Sequence, residues 1–265
     1  MKRLDQWLVE EGYYPSREKA RLAVMAGEVE IEGKGRRLKA ATRVGPRDKI
    51  VVKKRPRFVS RGGEKLEGAL ERWGLSPEGK VALDVGASTG GFTQCLLERG
   101  ASGVIALDVG KGQLHWDLRR DPRVEVMEGT NVRYLDPHAL PERPRLITVD
   151  VSFISLELVI PVMGGVLSEG GDLLALIKPQ FEAGRGKVGK GGIVREPDVH
   201  REVLRKVLKA AEEEGFHLRG LAPAAPRGAE GNIEFFGWWS REEAGGDGIA
   251  GESVEEAVGE AWNLA

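Results

Sequence analysis

Between residues 80 and 180 the chain repeats one pattern five times: the apolar runs in KVALDVG, SGVIALDVG, RVEVMEG, RLITVDVSF and DLLALIKPQ, each followed by a helical or loop segment. Short apolar runs bounded by breakers are what parallel strands covered on both faces require. Alternating such strands with helices restricts the fold to α/β, a doubly wound, Rossmann-like sheet. FHLRGLAP and NIEFFGWWS, with no long helix between them, read as a final antiparallel pair, and SVEEAVGEAWNLA as a short terminal helix. Open sheets of this kind bind ligands at the carboxyl ends of their strands. Asp108, Asp150 and Lys178 stand at such ends. In DLLALIKPQFE the apolar run from Leu173 to Ile177 stops on Lys178 and Pro179, and a lysine there either snorkels into water or serves a site.

The first sixty residues follow other rules. Leu4, Trp7 and Leu8 share a helical face that Gly12 ends, and Ser16 is a natural N-cap for a second helix carrying Ala20 and Val24 up to Gly27. EVEIEG and KIVVKK then read as strands. Residues 1–60 hold 16 lysines and arginines against 8 acids, whereas the remainder holds 24 against 33, although the whole chain has a net charge of only −1. A basic module joined to an acidic one points to a polyanionic partner for the first. The stretch KKRPRFVSRGG lacks apolar periodicity and serves as a linker, with the boundary near Phe58. We therefore expect a small α+β domain at 1–58 and the sheet domain at 59–265.

RLDQWLVEEGYYPSREKARLAVMAGEVEIEGK resembles an S4-type RNA-binding domain, with Glu32 where that family often has Asn. The resemblance implies a grip on structured RNA through backbone charge and shape. Arg3, Arg17, Lys19, Arg21, Arg36 and Arg37 are the candidate RNA contacts, with Lys39 beside them.

Composition excludes several classes. The single cysteine, Cys95, cannot close an internal disulfide, the N-terminus lacks the apolar core of a signal peptide, and no run approaches the ~20 apolar residues of a membrane span. A cytoplasmic protein is expected, without membrane or metal partners.

LDVGASTGGF places Gly86, Gly90 and Gly91 between a strand and the helix FTQCLLERG, where missing side chains let backbone N–H groups approach a ligand. Asp108 lies 22 residues beyond Gly86, a spacing suited to ribose hydroxyls, so an adenosine-containing cofactor is indicated. The loop is not G-x-G-x-x-G. With Asp84 two residues before its first glycine it resembles motif I of S-adenosylmethionine-dependent methyltransferases. That resemblance implies S-adenosyl-L-methionine held by Asp84, Gly86, Ala87, Ser88, Gly90, Gly91 and Phe92, its ribose on Asp108 and its adenine beside Thr130 and Asn131. GRGKVGK satisfies G-x-x-x-x-G-K, but Gly191 replaces the Ser or Thr of a phosphate loop. It reads as a basic loop in which Arg185, Lys187 and Lys190 either meet RNA phosphates or are solvated.

Lys65, Asp150, Lys178 and Glu234 fall at or near the same edge, and the order Lys, Asp, Lys, Glu resembles that of FtsJ-like ribose 2′-O-methyltransferases. SRGGEKLEGAL, DVGASTGGFTQCLL, TNVRYL, DVSFISL, IKPQFEAG and GNIEF together resemble the TlyA family of S4-plus-FtsJ rRNA methyltransferases, some of them labelled hemolysins. APAAPRGAEGN departs from that family, with Ala225, Pro226 and Arg227 where a Ser-Pro-Ile type segment is usual. The residue types suit the chemistry. A ribose hydroxyl attacks a methyl group only if its proton is removed or polarised. A lysine serves as base only when neutral, a state that desolvation, Lys65 and the sulfonium favour and Asp150 and Glu234 oppose. The resemblance implies a cytidine 2′-hydroxyl of rRNA as the target. Because the S4-like unit starts almost at Met1, we expect the large-subunit 23S rRNA, with 16S rRNA left open. Two other classes are weighed: a non-catalytic RNA-binding assembly factor, against which the cofactor loop and tetrad stand, and a membrane-active hemolysin, against which the lack of an apolar span stands.

Overall fold

The computed structural model describes residues 1–14, 16–25, 27–33, 38–52, 57–184, 186–228, 231–242 and 253–263. The chain divides into two compact units, Met1–Arg57 and Phe58–Ala265. Phe58, placed with the N-terminal domain by the sequence reading, belongs to the second unit. Its ring is 3% exposed within that core, and it lies so close to Gly63 that a Cβ there would come within 2.2 Å of it.

In the first unit β1 (Lys2–Arg3) leads into α1 (Leu4–Glu10), and α2 (Arg17–Met25) follows. The Ser16 hydroxyl accepts from the Lys19 backbone N–H at 3.3 Å, the cap anticipated from sequence. β2 (Val29–Ile31), β3 (Arg43–Val44) and β4 (Ile50–Val52) complete the unit; β2 pairs antiparallel with β4 and β1 with β3. Leu4, Leu8, Ala20, Val24, Val29, Ile31 and Val44 form its own core. The β1–β3 pair is too short to carry a sequence signature.

The second unit opens with α3 (Arg61–Trp73), then β5 (Val81–Val85), α4 (Gly91–Glu98), β6 (Gly103–Asp108), α5 (Trp116–Arg119), β7 (Val124–Glu128) and β8 (Leu146–Val149). It continues through α6 (Ile160–Val166), β9 (Asp172–Ile177), α7 (Pro179–Glu182), α8 (Pro197–Glu213), β10 (His217–Pro223), β11 (Phe235–Ser240) and α9 (Val254–Asn263). The seven strands lie in the order β10-β11-β9-β8-β5-β6-β7, with β5 to β9 parallel and β11 antiparallel to both its neighbours. Alternate residues of each parallel strand enter opposite cores. Leu83, Ile105, Leu173 and Ala175 pack with α6, α8 and α9 on one face, and Ala82, Val104, Ala106 and Leu174 with α3 and α4 on the other. Burial on both faces explains why these strands are apolar without alternation. The chain leaves β5 toward β6 and β7 and returns to β8 on its other side, so a crevice opens outside the carboxyl ends of β5 and β8. No helix among the described residues is long and apolar enough to cross a membrane.

Candidate active site

The crevice is shaped first by the loop after β5. Gly86 has φ +85°, and a Cβ there would fall 2.3 Å from the Asp150 carbonyl oxygen; at Gly91 one would fall 2.1 Å from Ser60 Oγ. Neither position has room for a side chain, so the loop lies flush against the end of β8 and the start of α3. Ser88 takes a left-handed φ of +49°, uncommon for a residue other than glycine, and its N–H donates to Asp108 Oδ2 at 2.8 Å. Asp108 Oδ1 accepts from Gly110 N–H at 2.6 Å. One carboxylate thus ties the glycine loop to the turn after β6.

Around this clamp lies a cavity of about 680 Å³ lined by Gly86, Ser88, Asp108, Thr130, Asn131 and Asp150. A neighbouring cavity of about 230 Å³ is lined by Lys65, Gly86, Ala87, Gly91, Phe92 and Asp150. The Thr130 N–H donates to the Asp108 carbonyl at 3.0 Å, and the Asn131 side chain caps a 3₁₀ turn at Val132–Tyr134. Gly90 lines neither cavity and packs against Leu114 and Leu118.

Asp84 differs from its expected place among the cofactor contacts. It is 0% exposed and lies beneath the loop, where its oxygens accept from Thr93 Oγ1 at 2.7 Å and Thr148 Oγ1 at 3.4 Å. A strand residue pointing into the core cannot also reach the crevice. Burial raises its pKa to about 7, with Asp150's charge adding to the rise and the Thr93 bond opposing it. In an unfolded chain the same carboxyl ionises near 3.8, so the stability it contributes is full below that pH and is lost as pH rises to about 7. Asp84→Asn is therefore expected to gain stability over wild type across that window and then hold level, by up to about 4 kcal/mol. Chemical unfolding of both proteins at stepped pH measures this, and a pH-independent difference would refute it.

The four charged candidates form two pairs. Lys65, on α3 and 8% exposed, meets Glu234 at 2.5 Å, with Glu234, just ahead of β11, 3% exposed. Lys178 and Asp150, at the ends of the adjacent strands β9 and β8, meet at 2.5 Å, and Lys178 Nζ also donates to Ser152 Oγ at 3.1 Å. No group of three or more metal-ligating side chains is found among the described residues.

Several residues near these pairs escaped the sequence reading. Gln180 Nε2 donates to Glu234 Oε1 at 3.0 Å. Glu182 is buried and accepts from Ser155 Oγ at 2.6 Å and Leu156 N–H at 2.8 Å, pinning the loop after β8. On that loop Phe153 has φ +64°, is 90% exposed and lies 4.8 Å from the Phe181 ring. Only the blocks DVSFISL and KPQFE, quoted for resemblance, gave any sign of them.

In the S4-like unit, Arg17, Lys19, Arg21 and Lys39 are exposed. Arg3 and Arg17 are both bonded to Asp5, at 3.0 and 3.1 Å, and Asp5's pKa falls to about 2, chiefly through the Arg3 bond. Through Asp5, Arg17 ties α2 to α1 while Arg3 braces the start of α1. Arg36, Arg37 and Arg185 lie outside the described residues. Lys187 is paired with Glu202 of α8, and Lys190 is exposed.

Residues 58–241 match the model of the FtsJ-like methyltransferases, and residues 2–50 match the S4 domain. The chain is 44% identical to the 16S/23S rRNA (cytidine-2′-O)-methyltransferase TlyA of Mycobacterium tuberculosis, over 89% of this chain and 88% of that one. It is 37% identical to the 23S rRNA (cytidine-2′-O)-methyltransferase TlyA of Campylobacter jejuni, over 68% and 69%. A solved structure from Streptococcus thermophilus, described provisionally as a hemolysin, superposes with a TM-score of 0.75 at 40% identity, covering 99% of this chain and 96% of that one. With its FtsJ-like unit, its S4 domain and identity over most of its length, the chain belongs to the TlyA family of FtsJ-like methyltransferases.

Proposed function

We propose that this protein methylates the 2′-hydroxyl of a cytidine in rRNA, using S-adenosylmethionine. The observation that carries the reading is the meeting of two lysine–carboxylate pairs, Lys65–Glu234 and Lys178–Asp150, beside a glycine cradle. The cradle fits the cofactor on its own terms: no side chain has room at Gly86, and Asp108 stands where a ribose would need an acceptor. When bound, S-adenosylmethionine supplies a methyl group on a positively charged sulfur, open to in-line attack.

The chain's own residues hold the hydroxyl and take its proton. Lys178 and Asp150, 2.5 Å apart, act on that proton as one unit, and Ser152 restricts where the ammonium points. Asp150 lines both cavities, so it faces the cofactor side and the substrate side together. Lys65, almost buried and neutralised by Glu234, puts a fixed cation beside the attacking oxygen, where it stabilises developing negative charge. Phe153, exposed at the rim on a strained turn, offers an aromatic face to an unstacked base.

Of the two named relatives, one takes its name from both rRNAs and one from 23S alone. We propose the large-subunit rRNA, common to both, as the substrate here. The test is transfer of labelled methyl to purified ribosomal subunits, followed by alkaline hydrolysis. A 2′-O-methyl group blocks attack on the adjacent phosphate, so the label should appear in an alkali-resistant dinucleotide containing cytidine. Label on a free base would refute the reading.

Cofactor binding has its own test. Asp108→Ala removes both the expected ribose acceptor and the clamp on Ser88 and Gly110, so calorimetry should show affinity for S-adenosylmethionine falling by at least about tenfold. Unchanged affinity would place the cofactor elsewhere.

A further inference from the structure

Glu234 sits in a socket. Its Oε2 meets Lys65 Nζ at 2.5 Å and its Oε1 accepts from Gln180 Nε2 at 3.0 Å. On a third side a Cβ added at Gly228 would come within 2.2 Å of Oε1, so the bare glycine backbone leaves the carboxylate its room. Gln180 reaches this socket from α7, two residues beyond Lys178. That turn is stiff, since Pro179 fixes its first φ, Phe181 N–H donates to the Lys178 carbonyl at 2.9 Å, and Glu182 is anchored to Ser155 and Leu156. One short turn therefore carries Lys178, which meets Asp150, and Gln180, which meets Glu234.

From this arrangement we infer that Gln180 is a positioning residue whose amide holds the Lys65–Glu234 pair in register with the Lys178–Asp150 pair. The inference rests on the proposal that the two pairs act on the ribose hydroxyl. Glutamine suits the task for a chemical reason. Between its two amide atoms only the nitrogen donates, and turning the amide over would set oxygen against the Glu234 carboxylate. The orientation is thus fixed by its partner. Packing alone does not account for the residue: Gln180 Oε1 is buried with no hydrogen-bond partner among the described residues, and an open buried acceptor is destabilising. A methionine of the same length would fill the volume without it.

The test compares Gln180→Met, Gln180→Glu and Glu234→Gln with wild type in the full-length protein, by kcat and KM for rRNA methylation, cofactor affinity and thermal midpoint. Gln180→Met should lower kcat about 10- to 100-fold, as expected when reacting groups are misplaced by a fraction of an ångström. KM, cofactor affinity and the thermal midpoint should stay close to wild type. Gln180→Glu places a second carboxyl against Glu234, with Lys65 the cation facing both. Two adjacent carboxyls can share one proton, which restores a donor, so the ratio of variant to wild-type kcat should rise as pH falls. A purely structural defect would leave that ratio flat. Wild-type kcat in Gln180→Met, or a flat ratio in Gln180→Glu, overturns the inference. Full activity in Glu234→Gln overturns the tetrad reading and this inference with it, whereas an inactive Glu234→Gln beside a fully active Gln180→Met overturns the positioning role alone.

Discussion

Exchanging Lys178 for alanine is expected to lower kcat by about 10²- to 10⁴-fold, the usual consequence of removing acid–base catalysis, while cofactor affinity changes little. The separation follows from where the amine is bonded. Lys178 Nζ touches Asp150 and Ser152, and it lines neither of the cavities bordered by Gly86. The clamp from Ser88 and Gly110 to Asp108, proposed above as the cofactor's ribose side, contains no atom of Lys178. Removal of the amine also strips Asp150 of its counter-charge, so the variant must be shown to melt near wild type before its activity is read; Lys178→Met, which keeps the packing stem, supplies a second version. Single-turnover methyl transfer on purified large subunits separates the chemical step from RNA capture. An alanine variant as active as wild type would remove Lys178 from the reaction even if rRNA methylation itself were confirmed.

How far the site was legible before the structure depends on which force fixes each residue. The five parallel strands were legible because burial on both faces forces apolar runs, and the alternation of Leu83 with Ala82, or Leu173 with Leu174, between two cores is that force at work. The glycine loop was legible because close approach of backbones leaves only glycine at Gly86 and Gly91. Strand ends then located Asp108, Asp150 and Lys178. Period-two patterning says less about depth. Asp84 was expected among the cofactor contacts, yet its side chain points inward to Thr93 and Thr148. Arg3 and Arg17 were read as candidate RNA contacts, and nothing in the local pattern showed that Asp5, on α1, binds both. Gln180, Glu182 and Phe153 were invisible for a different reason: their partners lie tens of residues away, and nothing local distinguishes a glutamine that orients a carboxylate from one that faces water.

Deleting residues 1–57 is expected to cost most of the affinity for rRNA and to spare cofactor binding. Leu4, Leu8, Ala20 and Val24 belong to a core of their own, and the crevice residues Gly86, Asp108 and Asp150 all belong to the other unit. The truncated protein should therefore fold and bind S-adenosylmethionine, which calorimetry checks first. Its loss of rRNA affinity follows from charge. The N-terminal sixty residues carry a net excess of eight cations while the rest of the chain is net acidic, and a protein neutralising six to ten phosphates changes affinity by about 10³ to 10⁵ between 50 and 200 mM salt. The intact protein should show that steep dependence and the truncated one a much shallower one. Point variants sharpen the result. Arg17→Ala would also cut the Asp5 tie between α1 and α2, confusing a fold defect with a lost contact, so the informative set is Lys19, Arg21 and Lys39, which are exposed and bonded to no side chain holding the two helices together. Changing all three to alanine should weaken binding of every rRNA fragment alike and lower the salt slope by up to about three, roughly one per phosphate contact. If the truncated protein binds rRNA as tightly as the intact chain, or the triple variant keeps the full salt slope, the basic module has another partner and the FtsJ-like unit finds its substrate unaided.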